Sequence, residues 1–129
     1  MSEHEVLGLI RSADAAITAE DFDRLMEFYA EDAVLVIEPG RLARGKDQIR
    51  SAFVAIAKHF KNDLRVTQGA AQVIEGSVTA LVIMETVLET PTSSEPILRR
   101  ATYVFASGEE GRWLCTVDNS YGTDLLDIN

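Results

Sequence analysis

Four β-rich segments follow one another from Leu64 to Tyr121, and the links between them are short. Leu64–Glu75 turns at Glu75-Gly76-Ser77 into Val78–Thr90. The Pro-, Ser- and Thr-rich piece Pro91–Pro96 is a loop leading to Ile97–Ser107. Gly108-Glu109-Glu110-Gly111 is a turn into Arg112–Tyr121. Parallel neighbours need a crossover of a dozen residues or more, so strands joined this tightly must be antiparallel. The second half of the chain is therefore committed to one antiparallel sheet.

The first half carries helical periodicity. Val6, Ile10, Ala13 and Ile17 form one stripe on a helix from about Glu3 to Ala19. Phe22, Leu25, Met26 and Tyr29 form a second, with Asp21 and Asp23 favouring its N-terminus and Glu31-Asp32 ending it. Val34–Ile37 is a short strand closed by Pro39-Gly40. After a loop through Gly45, Ile49, Phe53, Ile56 and Phe60 share the face of a third helix. The order ααβαββββ over residues 1–129 predicts a single α+β domain. It is a strongly bent antiparallel sheet with three N-terminal helices on its concave face.

Composition excludes several classes of function. The formal net charge is −9, and the only adjacent arginine pair is Arg99-Arg100. Such a surface repels nucleic acid and anionic membranes alike, so neither is an expected partner. No apolar run approaches the roughly 18 residues of a membrane span, and the acidic, helix-like start lacks the basic region of a signal peptide. A cytoplasmic protein is expected. Two separated histidines, His4 and His59, and one cysteine, Cys115, in an apolar strand offer no metal site, and no cofactor motif occurs. Val78–Leu88 is apolar on both faces: Val78, Ala80, Val82 and Met84 on one, Leu81, Ile83 and Val87 on the other. One face packs on the helices. The other is expected to meet a second copy of the chain in a homodimer, or to be covered by the chain's own C-terminal tail.

The strings Ala19-Glu20-Asp21-Phe22-Asp23 and Phe28-Tyr29-Ala30-Glu31-Asp32-Ala33-Val34, the loop Pro39–Arg44 with Gly45 and the helix Asp47–Phe53, and Gly111-Arg112-Trp113 opening the last strand resemble the nuclear transport factor 2-like superfamily. That group includes SnoaL-like cyclases, ketosteroid isomerase, scytalone dehydratase and limonene epoxide hydrolase. The resemblance covers nearly the whole chain. It implies a cone-shaped, cystatin-like α+β roll with an interior small-molecule pocket and a dimer through the outer sheet face. Enzymes, binding modules and oligomerisation domains share this fold, so the resemblance does not choose an activity. The isomerase's base precedes a proline at the end of the first strand, and Glu38-Pro39 stands there after one inserted residue. Its two oxyanion donors fall by spacing at about Ala13 and Thr102, so both are missing in that form and a true ketosteroid isomerase is not expected, although Thr102 on the pocket wall could donate more weakly to a substrate. Val117 and Asn119 stand where many relatives carry paired histidines.

Glu38 is the candidate catalytic residue, because a carboxylate beside an apolar pocket titrates high and can move a proton next to a carbonyl. A solvated loop carboxylate is the alternative. Asn119 shares a face with Trp113, Cys115, Val117 and Tyr121 by alternation, and its amide could bind a ligand carbonyl or hydroxyl. If the register is inverted, Asp118 becomes the pocket carboxylate. Arg100 and Thr102 alternate with Val104, with Arg100 either binding an anionic group or pairing with Glu38 or Glu85. Tyr29 and Phe53 read as core residues that also line the pocket. The expected ligand is small and apolar or carbonyl-containing. The expected function is isomerase, cyclase, dehydratase or hydrolase chemistry by carboxylate acid and base, or else non-catalytic ligand binding or oligomerisation.

Overall fold

A computed structural model describes residues 4–91, 93–108 and 111–127. The expected helix start at Glu3, Thr92 of the Pro91–Pro96 loop and Glu109-Glu110 of the last turn lie outside the described residues. Helix α1 (Glu5–Ala19) begins at His4, whose Nδ1 accepts from the Val6 N–H at 3.1 Å and whose Nε2 pairs with Glu75. Helix α2 is a single turn, Phe22–Leu25, capped by Asp21 accepting from the Arg24 N–H at 3.2 Å. A 3-10 turn, Met26–Phe28, leads into strand β1 (Tyr29–Glu38) and a hairpin to β2 (Arg41–Arg44). Helix α3 (Gly45–His59) and strands β3 (Arg65–Glu75), β4 (Thr79–Glu89), β5 (Ile97–Ser107) and β6 (Trp113–Asn119) follow, and a 3-10 segment, Gly122–Asp127, lies against the sheet.

The six strands form one curved, open sheet in the order β2-β1-β6-β5-β4-β3, with the helices packed against it. This is the expected α+β roll. The β3–β4–β5–β6 meander is antiparallel throughout. One pair departs from a wholly antiparallel sheet: β1 runs parallel to β6. The whole length of chain between them supplies the crossover that a parallel pair needs. A second departure is at Tyr29, which the 3.6-residue pattern placed on a helix. The helix stops at Leu25 and Tyr29 opens β1, fully buried. An apolar residue one turn past a helix and an apolar residue at a strand start look alike in sequence.

The core gathers Val6 and Ile10 of α1, Leu25, Tyr29, Ile49 and Phe53 of α3, Val82, Phe105 and Cys115. Phe28 stacks edge-on against both Tyr29 (5.0 Å) and Phe105 (5.5 Å), and Tyr103 lies 6.5 Å from it. Each such ring contributes about 1.5–3 kcal/mol through burial. Their packing fixes the two tyrosines that reach the interior site.

Two bulges decide which side chains face inward. Val104 pairs with Val117 and Phe105 with Cys115, so Thr116 is an extra residue in β6. A bulge of one residue reverses the alternation beyond it. Trp113 and Cys115 share the inner face with Phe105, but past Thr116 it is Asp118 that turns inward beside Tyr103, and Asn119 turns outward beside Thr102. In β3 an extra residue at Gly69-Ala70 sits opposite Glu85. Gly122 has φ +55, and a Cβ there would collide with the Arg100 carbonyl oxygen, so glycine lets the C-terminal segment close on β5.

Candidate functional site

The inner face of the sheet and the helices enclose a cavity of about 160 Å³. Its walls are apolar for the most part: Ile17 from α1, Leu35 and Ile37 from β1, Phe53 and Ile56 from α3, and Leu88 from β4. Into it project two acids from opposite layers, Asp14 from α1 and Asp118 from β6, both buried.

Each acid is held by its own partner. The Tyr29 hydroxyl donates to Asp118 Oδ2 at 2.6 Å. Gln68 Nε2 donates to Asp14 Oδ2 at 2.6 Å, and Thr86 Oγ1 donates to Gln68 Oε1 at 3.0 Å. Thr86 is also close enough to the Tyr103 hydroxyl to act on it, pulling its pKa down against burial. A polar arc therefore runs from Thr86 through Gln68 to Asp14, crossing β4 and β3 to reach the helix. Every enclosed side-chain nitrogen or oxygen among the described residues has a partner, as a buried polar network requires.

Burial sets the protonation states. Asp14 is pushed up to about 7, first by desolvation and then by the charge of Asp118, against the pull of the Gln68 hydrogen bond. Asp118 is pushed up to about 6 by desolvation, against the hydrogen bond from Tyr29 that favours its ionised form. Burial, and then the Asp118 charge, raise Tyr29 and Tyr103 well above the ordinary phenol range, so both stay protonated as donors. Burial likewise raises the Cys115 thiol, consistent with a structural role.

The sequence-derived candidates are distributed differently. Glu38 is exposed and lies outside the cavity. The strand bulges between Val36 and Glu38, and Glu38 then pairs with Arg41 in the Pro39-Gly40 hairpin. Asn119 is also outside. Its Nδ2 donates to Thr102 Oγ1 and to the Gly122 carbonyl, both at 3.2 Å, and its Oδ1 accepts from the Tyr121 N–H at 3.1 Å. It ties the C-terminal segment to the sheet. Thr102 is its outer-face neighbour, and Arg100 is exposed on that same face opposite Glu85. Phe53 lines the cavity, and Tyr29 reaches the site through Asp118. The carboxylate that faces inward on the last strand is Asp118, the inverted-register alternative. The places assigned by spacing to Ala13 and Thr102 are each one residue off: Asp14 and Tyr103 are the cavity groups.

Asp14 left a signal that periodicity analysis passed over. It stands four residues after Ile10 and three before Ile17, so an acid interrupts an apolar helix face. Gln68 and Thr86 likewise interrupt the inward faces of their strands. Among the described residues, no cluster of three metal-ligating side chains occurs, and no helix is long and apolar enough to cross a membrane.

A family model described as SnoaL-like domain matches residues 10–115. The chain belongs to the SnoaL-like family. This SnoaL-like domain is similar to a cystatin-like-fold protein of unknown function from Nostoc punctiforme, with 16% identity, 88% of this chain and 85% of that one covered, and a TM-score of 0.77. It is also similar to an uncharacterised cystatin-like-fold protein from Caulobacter vibrioides, with 21% identity, 95% and 91% covered, and a TM-score of 0.75. A third similar structure, from Catenulispora acidiphila, was determined in complex with S-DNPA, with 16% identity, 88% and 87% covered, and a TM-score of 0.71. At these identities the likeness concerns the fold. No curated protein matches the sequence.

Proposed function

We propose that this SnoaL-like domain binds a small, largely apolar organic molecule in its cavity and transfers a proton on it, with Asp118 as base and Asp14 as acid. The observation that carries the reading is two carboxyls from opposite layers, brought to about 6 and about 7, in one largely apolar cavity. Between those values Asp118 is mostly ionised and Asp14 mostly protonated, which is the division of labour acid–base catalysis needs. On a ketone, the Asp118 carboxylate takes a hydrogen from the carbon next to the carbonyl as a proton. The Asp14 carboxyl gives its proton to the carbonyl oxygen. Asp14 takes its proton back from the enol oxygen. Asp118 completes exchange by delivering to the same carbon a deuteron it has acquired from D₂O, or completes isomerisation by delivering the proton to the far carbon of a conjugated dienol. The same pair serves dehydration, by removing a proton and protonating a departing hydroxyl.

Size narrows the ligand. A dry apolar cavity of about 150 Å³ accepts a benzene ring, so a single-ring molecule suits this one. The direct test is exchange of the α-hydrogens of cyclohexanone into D₂O, followed by NMR. The expected result is protein-catalysed exchange with a bell-shaped pH dependence, highest between about 6 and 7. Exchange no faster than in buffer, with no rise in melting temperature from ring ketones, would count against the reading.

We also propose that the outer sheet face pairs two copies of the chain. Ile74, Ile83, Leu98 and Val117 stand exposed on it, Leu98 at 75%, whereas a solvated sheet face is polar at such positions. Light scattering at micromolar concentration is expected to give twice the chain mass, and Ile83→Lys with Leu98→Lys to give monomers. A monomeric parent chain would contradict this.

A further inference from the structure

We propose that the ligand of this cavity is an organic anion, its carboxylate held at the mouth by Arg99 and its apolar ring inside. This rests on the reading of the cavity as a ligand site and names the ligand's chemical class. Arg99, not the neighbouring Arg100, is on the inner face: it pairs in register with Thr86, which stands on the same wall as the polar arc. It is half-buried and lines the cavity together with Ser120 and Tyr121. Arg99 lies four residues from Tyr103 along β5, about 13 Å of strand. The cation is thus separated from the Tyr103–Asp118 row, toward the strand end where Leu88, Leu64 and Phe60 form the wall.

Its position is built. The guanidinium carbon sits 4.3 Å from the centre of the Tyr121 ring, a cation–π contact. That ring is fixed at both ends, because the Tyr121 hydroxyl donates to the Ile37 carbonyl at 3.4 Å and its N–H donates to Asn119. The charge is also unspent. Arg99 enters none of the ion pairs seen among the described residues. A protein of net charge −9 thus keeps a cation, unneutralised by the cavity's own acids, on the wall of an apolar cavity. Stacking on Tyr121 leaves the guanidinium edge open for a bidentate pair with a carboxylate.

The test compares 3-phenylpropanoate with its neutral counterpart 3-phenylpropanamide at pH 7.5, by NMR titration of the whole chain. The parent protein is expected to bind the carboxylate about tenfold or more tightly than the amide. Arg99→Gln is expected to remove that preference while leaving amide binding unchanged, and Arg99→Lys to restore part of it. Tyr121→Leu, which keeps the cation but removes its platform, is expected to weaken carboxylate binding more than amide binding and so to narrow the preference between them. Equal binding of the two probes by the parent, unaltered in Arg99→Gln, would overturn the anion assignment and leave the cavity reading intact. Binding of neither probe would overturn both.

Discussion

Asp14→Asn is expected to be more stable than the parent protein above pH 7, by on the order of 4 kcal/mol, and equal to it in strongly acidic solution. Burial raises the folded-state pKa of Asp14 from 3.8 to about 7. A raised acid is bound to its proton more tightly in the folded chain than in the unfolded one. Its stabilisation is therefore fully present below the unfolded value, declines as the pH rises, and is gone once the pH has passed the folded value. At about 1.4 kcal/mol per unit, a shift of this size gives the magnitude stated. Asparagine carries no charge to desolvate and keeps an oxygen for Gln68 Nε2 to donate to. Urea unfolding at pH 4, 6 and 8 measures the difference. Parent and variant with the same pH dependence would mean that Asp14 is solvated in the folded chain.

Asp118→Asn is expected to slow cyclohexanone exchange by about 10²–10⁴-fold, the usual loss on removing a positioned base. The variant should still fold, because the amide oxygen can accept from Tyr29 in place of Oδ2. It should also still bind ring ligands, because the apolar walls are untouched. Loss of exchange with retained binding separates chemistry from cavity. Tyr29→Phe acts differently: it removes the hydrogen bond that favours ionised Asp118, so the acid limb of the exchange profile should move to higher pH. An exchange rate unaffected by Asp118→Asn would remove this residue from the mechanism.

Much of the fold was legible because its signals are local. The Ile10, Ala13, Ile17 stripe and the short turns at Gly76 and Gly108 each name an element by themselves. Tyr29 was misread because a strand start and a helix stripe share one apolar residue. The site was less legible because its orientation hangs on Thr116. Counting by twos from Trp113 is sound up to Cys115 and fails beyond it, and a threonine in a strand gives no sign of a bulge. Asn119 and Thr102 are cross-strand partners, and both stand on the outer face. The reversal at Thr116 exchanges Asn119 for Asp118, whereas Arg99 rather than Arg100 faces inward simply because it alternates with the buried Ala101, Tyr103 and Phe105 along an unbulged β5. Asp14 could have been found from sequence, as an acid inside an apolar stripe. Its partner Gln68 lies 54 residues away and only the folded sheet brings it near.

The central claim is that Asp14 and Asp118 share one cavity and titrate near neutrality. Carboxyl carbon NMR of ¹³C-aspartate-labelled protein, with Asp14→Asn and Asp118→Asn assigning the resonances, follows both groups directly from acid to pH 9. The expected result is two midpoints near 6 and 7, with the Asp14 midpoint falling when Asp118 is replaced, because the Asp118 charge contributes to raising it. Midpoints for both groups in the ordinary range near 3.9, each indifferent to the other's replacement, would contradict the claim.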